Sequence, residues 1–256
     1  MLTIQAINAF EDNYIWFIAE PESNKLLIVD PGDAKLVIHA IEQQNLQPVA
    51  LLITHHHMDH IAGINELVRK YNIPVYGPKT EAIPNLTFPL VSCEGLIIDP
   101  VFPPITVLDV PGHTDGHIAF LIDGNLFCGD TLFGAGCGRL LGGTAKQLHA
   151  SLQLISRLPE QTMIFCTHEY TQQNLRFASQ VEPNNKLIQQ RIIDTNKLRI
   201  AGKSSLPSLL TLELKTNPFL RCHIPEVILA AEQFCGDQID TPVEVFTSLR
   251  LWKDQF

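Results

Sequence analysis

Cations are scarce in this chain. Its 256 residues carry 18 Lys and Arg against 27 Asp and Glu, a formal net charge of −9. That balance argues against non-specific nucleic-acid binding, which needs a basic surface to displace phosphate counterions. Long apolar runs are missing too. None approaches the roughly 20 residues of a membrane span, so no membrane association is expected. The first residues, Met1-Leu2-Thr3-Ile4-Gln5, lack the basic-then-apolar order of a signal peptide. There is no C-x-x-C pair: Cys93, Cys128, Cys137, Cys166, Cys222 and Cys235 are scattered, four of them in apolar surroundings. They read as reduced thiols, and a cytoplasmic location is expected. Short-period repeats and low-complexity segments are absent. What remains is a hydrophobic content of 45%, enough for one large domain, or one domain plus a smaller one.

Residues 49–60, V-A-L-L-I-T-H-H-H-M-D-H, organise the rest. An apolar run stops abruptly at four histidines and an aspartate, an ending suited to a metal site rather than to a buried strand. Side chains alternate along an extended backbone. His55 and His57 then point to one side and can share an ion, while His56 points to the other. A helix is expected over 61–71, from Ile61, Ile64, Leu67 and Val68 at helical spacing. Asp59 and His60 sit at the turn before it and leave at a different angle, toward a second ion.

The same ending recurs. Strands are expected at 3–9, 14–19, 25–29, 49–54 and 74–76, with a helix at 34–44 and an irregular, proline-rich stretch at 81–104. A strand at 105–110 runs into Pro111-Gly112-His113-Thr114-Asp115-Gly116-His117. Strands at 117–122 and 126–128 flank the hairpin signal Asp123-Gly124-Asn125 and lead into Gly129-Asp130-Thr131. After a glycine-rich loop at 134–143 and a helix at 144–158, a strand at 163–166 ends at Thr167-His168-Glu169-Tyr170. Sites in layered α/β proteins form where strand ends converge. Two sheets with helices outside, an αββα sandwich, are expected over 1–167. Helices at 171–180, 186–200, 225–234 and 242–251 then make 168–256 a smaller helical domain.

Seven strand-end donors result: His55, His57, Asp59, His60, His113, Asp130 and His168. Six give two ions three terminal ligands each, and the seventh can bridge. A carboxylate has an oxygen for each metal, whereas imidazole has one free nitrogen. Asp59 is tied to the His60 turn, so Asp130 is the better bridge. Two such ions hold a hydroxide at neutral pH, since one zinc already lowers the pKa of its water to about 7.

This set resembles the metallo-β-lactamase superfamily, whose H-x-H-x-D-H motif stands here at His55–His60. Within it the chain is most similar to the glyoxalase II family. That narrower likeness rests on T-H-H-H-M-D-H, on Gly129-Asp130-Thr131-Leu132-Phe133 followed by Gly136-Cys137-Gly138-Arg139, and on Thr167-His168-Glu169-Tyr170-Thr171. Lys215-Thr216-Asn217-Pro218-Phe219-Leu220-Arg221 and Lys253-Asp254-Gln255-Phe256 complete it. The resemblance implies a metallo-β-lactamase-like fold with a C-terminal glutathione-binding domain. It implies His55, His57 and His113 on one divalent ion, Asp59, His60 and His168 on the other, and Asp130 bridging. Zinc is the first choice of metal, with iron or manganese also compatible. It further implies hydrolysis of S-D-lactoylglutathione to glutathione and D-lactate, the second step of methylglyoxal detoxification. A metal-bridging hydroxide would attack the thioester, with Asp59 and Asp130 as catalytic ligands. Arg139, Tyr170, Arg250 and Lys253 match the family's glutathione-binding positions. Arg139 stands where lysine is common, and Leu141 where some members carry a substrate-touching tyrosine. A monomer acting on this small molecule is expected.

The thiolate leaving group, whose acid has a pKa of about 8.5, needs no strong general acid. A single-iron glutathione persulfide dioxygenase is the alternative, disfavoured by the complete second ligand set. An RNA-processing nuclease is disfavoured by the acidic charge, and a non-catalytic scaffold by the intact ligands. His56 and His117 are expected to support rather than ligate. Asp30, before Pro31-Gly32, reads as a turn residue, and Cys137 lacks a local base to make it a nucleophile.

Overall fold

The computed structural model describes residues 2–256, which fold as two compact units. One comprises the chain through Asp109 together with Gly116–Gly129; the other comprises Val110–Asp115 together with Asp130–Phe256.

In the first unit, strands β1 (Thr3–Ala9), β2 (Asn13–Glu20), β3 (Lys25–Val29), β4 (Gln47–Leu52), β5 (Val75–Pro78) and β6 (Phe88–Leu90) lie side by side in that order. β1, β2 and β3 pair antiparallel, and β3 through β6 pair parallel. Helix α1 (Ala34–Gln44) crosses from β3 to β4, as a parallel pair requires. Asp33 caps its first turn by accepting from Lys35 N and Leu36 N. Its Ala34, Val37, Ala40 and Ile41 are buried with Leu26, Ile28, Leu51 and Ile53 of the sheet. β3 and β4 are apolar almost throughout because both faces are covered. An antiparallel meander follows: β7 (Cys93–Leu96), β8 (Ile105–Asp109), β9 (Ile118–Ile122) and β10 (Asn125–Gly129). Asp123 and Gly124, both with positive φ, make the tight β9–β10 turn.

Two expectations need correcting here. The helix expected over 61–71 is two helices, α2 (Met58–Ile61) and α3 (Ile64–Tyr71). Gly63 interrupts them. Its N–H donates to Pro31 O at 2.9 Å, and a Cβ there would lie 2.3 Å from that oxygen. The stretch at 81–104 is not wholly irregular, since it contains β6 and β7. These are three and four residues long and carry Pro89 and Gly95, so they show no legible alternation.

The second unit holds a hairpin, β11 (Leu132–Phe133) and β12 (Gly136–Cys137), then α4 (Ala145–Ile155), β13 (Met163–Cys166), α5 (Thr171–Val181) and α6 (Lys186–Ile200). β14 (Ser208–Leu209) pairs with β13. It runs into α7 (Leu210–Thr216), a 3-10 turn (Pro218–Leu220), α8 (Pro225–Cys235) and α9 (Pro242–Gln255). Capping boxes start α4 (Thr144 with Gln147) and α9 (Thr241 with Glu244). Phe177, Phe219 and Phe246 are fully buried; Phe219 stacks on Phe177 with centroids 5.9 Å apart and meets Phe246 edge-on at 5.6 Å. Helix α7 and the turn after it were not expected, because their seven and three residues are too few for a periodic signal. No helix of the described residues is long and apolar enough to cross a membrane.

Candidate metal centre

The first unit delivers four of the seven expected donors from the chain leaving β4. His55 is buried, His56 is 44% exposed at its side chain, and His57 is half-buried, as alternation along an extended backbone requires. His55 Nε2 and His57 Nδ1 lie 3.0 Å apart. The His60 ring centroid is 4.1 Å from that of His55, and His60 Nε2 is 3.6 Å from Asp59 Oδ2. Two ligands at about 2.0–2.1 Å from one tetrahedral ion stand roughly 3.3–3.4 Å apart, so the His55–His57 and Asp59–His60 separations each suit coordination of a shared ion.

Behind the donors is a hydrogen-bond frame. Asp30, 1% exposed, accepts from Thr54 N at 2.8 Å, from Thr54 Oγ1 at 2.7 Å and from His60 Nδ1 at 2.9 Å. The Thr54 hydroxyl proton goes to Asp30, so its oxygen is left to accept from His55 Nδ1 at 3.0 Å. Both imidazoles thereby carry their proton on Nδ1, which leaves Nε2 unprotonated, the form a metal takes. Asp30 is therefore more than the turn residue expected: it fixes two histidines at once. Asn13 Nδ2 donates to Asp59 Oδ2 at 2.9 Å and sets that carboxylate. His56 turns to Glu81, whose Oε2 accepts from His56 N at 2.6 Å and meets His56 Nδ1 at 2.8 Å. Glu81 Oε1 accepts from Gly116 N at 3.0 Å. His117 is buried and stacks on His55 at 4.6 Å, a supporting place.

The second unit delivers the other three donors. Asp130 Oδ2 lies 3.5 Å from His113 Nε2 and 3.4 Å from His168 Nε2, so one carboxylate oxygen faces two imidazoles. His113 Nδ1 donates to Arg139 O at 2.8 Å, which again leaves Nε2 unprotonated. Gly138 permits this closure: a Cβ there would lie 2.0 Å from Asp130 O. Tyr170 stacks on His168, with centroids 4.7 Å apart and planes at 4°. Glu169 holds the Ser204–Ser205 segment, accepting from Ser205 N at 2.8 Å.

The four residues expected to meet glutathione are placed differently from one another. Arg139 is 74% exposed at its side chain, with Asp254 Oδ1 3.9 Å away. Lys253 Nζ lies over the rings of Phe177 and Phe256, at 5.6 and 5.4 Å. Burial pushes its pKa below the usual lysine value, helped by the positive charges of Arg250 and Arg139. Arg250 is 4% exposed. Its guanidinium donates to Cys137 O at 3.0 Å, Gly138 O at 3.4 Å and Asp254 Oδ1 at 3.0 Å, and lies over the Phe219 ring. Leu141 is exposed. Burial pushes the Cys137 thiol up to about 11, which bars it from acting as a thiolate nucleophile near neutral pH.

A family profile described as the metallo-beta-lactamase superfamily matches residues 10–168, and one described as the hydroxyacylglutathione hydrolase C-terminus matches residues 169–256. A hydroxyacylglutathione hydrolase of Alkalilimnicola ehrlichii is 48% identical over 255 residues, covering all of both chains. This chain belongs to that family. A second member, from Nitrosomonas europaea, is 45% identical over all of this chain and 97% of its own length. The fold is that of the superfamily, mixed sheets with helices and a C-terminal helical region. A solved metallo-β-lactamase from Staphylococcus aureus superposes with a TM-score of 0.65 at 21% identity, over 98% of this chain and 71% of that one. Membership together with the histidine and aspartate donors supports binding of divalent metal ions.

Sequence reasoning missed Asp30, Asn13 and Glu81. The one available signal was that Asp30, like His55 and His113, ends an apolar strand. Asp30→Asn is expected to lower metal affinity about 10–100-fold, the usual effect of removing a partner that orients a ligating histidine. A competition titration against a chromophoric chelator measures this, and an unchanged affinity would remove Asp30 from the frame.

Proposed function

We propose that this chain hydrolyses S-D-lactoylglutathione to glutathione and D-lactate on a pair of divalent ions. His55, His57 and His113 would hold one ion, Asp59, His60 and His168 would hold the other, and Asp130 would serve both. The observation that carries this reading is the donor chemistry. Three imidazoles have their Nδ1 protons committed to protein acceptors, and one carboxylate oxygen faces two ring nitrogens. Zinc suits a set of imidazoles and carboxylates without thiolates, and iron and manganese are compatible with it. When bound, the ions supply a water deprotonated near neutral pH and an electrophile for the thioester carbonyl.

The residues do the rest. Asp130 and Asp59 bring the negative charge that two dications need, and Asn13 fixes the direction of Asp59. Arg139 and Lys253 offer cations to the substrate's two carboxylates on a chain of net charge −9. Arg250 contributes by holding the backbone of the loop that carries Arg139. Tyr170, stacked on His168, completes the substrate-binding set. On this reading 1–167 is the catalytic domain and 168–256 the glutathione-binding domain, a division supported by the two family profiles, which meet between residues 168 and 169. The six free thiols support a cytoplasmic location, with the protein acting as a monomer.

The test is hydrolysis of S-D-lactoylglutathione by purified protein of known metal content, compared with a thioester lacking the glutathionyl part. Equal kcat/KM on both would sink the glutathione assignment. Lys253 adds a pH signature. A lysine cation is lost as pH rises through its pKa, here lowered from 10.5. KM for the anionic substrate should rise at alkaline pH while kcat holds, and Lys253→Arg should move that rise to higher pH. A KM profile identical in the two proteins would remove Lys253 from the substrate site.

A further inference from the structure

The Lys215–Arg221 motif, K-T-N-P-F-L-R, has no part in ligation or in the substrate set, yet it lies against the segment that joins Asp130 to Arg139. That segment is the β11–β12 hairpin, two residues per strand with Gly134 and Ala135 at its tip. Isolated two-stranded hairpins are marginal at best in water, and one this short cannot hold its own shape. Here side chains hold it. Asn217 Nδ2 donates to Phe133 O at 3.3 Å and to Gly136 O at 2.9 Å, the paired residues at the base of the tip. Asn174 Nδ2 donates to Gly134 O at 3.1 Å. Ala135, in the left-handed region at φ 54°, donates its N–H to Glu213 Oε2 at 2.8 Å. Arg250 takes Cys137 O and Gly138 O, and His113 takes Arg139 O. Between Phe133 and Arg139, every carbonyl but that of Ala135 thus accepts from a named side chain.

The donors are themselves fixed. Glu213 and Asn217 are fully buried. Glu213 is ion-paired to Arg191, accepts from Ser208 Oγ at 2.6 Å and from Asn217 Nδ2 at 3.3 Å. Arg191 also donates to Thr216 Oγ1 at 2.6 Å. Asn217 Oδ1 caps the following turn by accepting from Phe219 N at 3.1 Å.

We infer that Asn217, with Glu213 and Asn174, is a positioning device for the metal ligands. It clamps the hairpin whose one end presents Asp130 and whose other end supplies the Arg139 carbonyl that orients His113. The C-terminal helices then position the Asp130 and His113 donors, beyond any part they play in holding glutathione. This inference rests on the ligand assignment proposed above.

The discriminating variant is Asn217→Asp. It keeps the shape and the Oδ1 cap but puts an acceptor where two carbonyls and Glu213 need a donor. Expected is a 10–100-fold loss of metal affinity, read by chelator competition, with kcat falling in step. Arg221→Met is the control. Arg221 belongs to the same motif, but its hydrogen bonds go to buried Glu182, twice at 2.8 Å, and to Leu214 O at 3.2 Å rather than to the hairpin. It should lower Tm and leave metal affinity unchanged. Wild-type metal affinity in Asn217→Asp, or an equal loss in Arg221→Met, would overturn the inference. If Asn217→Asp does not fold, Asn174→Ala removes only the Gly134 bond and should give a smaller loss of the same sign; no loss counts against the clamp. Asp130→Asn run in parallel separates the two ideas. If it keeps both metals, the ligand assignment fails; if it loses metal while Asn217→Asp does not, only the clamp fails.

Discussion

Asp130→Asn should leave less than about 0.1% of kcat on S-D-lactoylglutathione, a loss at the upper end of what single electrostatic groups contribute and compounded by loss of metal. Asp130 Oδ2 faces His113 Nε2 and His168 Nε2 at 3.5 and 3.4 Å. An amide of the same size fits the space but brings no negative charge, and one of its two terminal atoms is a donor. On the proposed assignment the centre loses its shared ligand while packing is kept, so Tm measured with chelator present should change little. His57→Ala should be as damaging for a different reason. It removes a nitrogen that stands 3.0 Å from His55 Nε2, which on the proposed assignment would leave the first ion under-coordinated. Metal analysis distinguishes the two variants, and either one retaining a tenth of wild-type kcat with two metals bound would contradict the assignment.

The second large effect is expected on removing the metal from the wild-type protein. Chelation should bring hydrolysis down to background, and adding back zinc, manganese or iron should restore it at two ions per chain. The stripped protein should stay folded, because the sheet that leads to His55–His60 has an apolar core of its own. It should be less stable. A ligand at a thousand times its dissociation constant contributes about 4 kcal/mol, and each kcal/mol is worth roughly 2–4 °C of Tm at this size. A fall of about 8–16 °C by thermal denaturation is therefore expected. A stoichiometry of one iron, with oxygen uptake on glutathione persulfide, would instead favour a dioxygenase.

The frame around the donors explains why these effects should be large. Asp30 is bound to Thr54 and His60, and Thr54 to His55, so a single carboxylate orients ligands proposed for both ions. In the second unit the Arg139 carbonyl does the same for His113. Neither Asp30 nor Arg139 would be noticed as part of a ligand motif. Both act through positions that lie 24 to 30 residues away along the chain.

Sequence by itself determined the candidate donors and the strands that deliver them. An apolar run ending in His-x-His-x-Asp-His is a local pattern, and alternation along an extended chain sorts His55 and His57 from His56 without any long-range information. The Asp123-Gly124 hairpin and the α1 helical face were legible for the same reason. Only tertiary structure decided what holds each donor. Asp30 against His60, Asn13 against Asp59, and Asn217 against the β11–β12 hairpin are side-chain hydrogen bonds across 30, 46 and more than 80 residues. Arg250 shows the same limit. Its place three residues before Lys253 marked a charged helix face, but burial against Phe219 and the Cys137 and Gly138 carbonyls turned the guanidinium inward. Periodicity reports which face of an element is apolar. It does not report which distant backbone group that face will meet, because hydrogen-bond partners are chosen by packing.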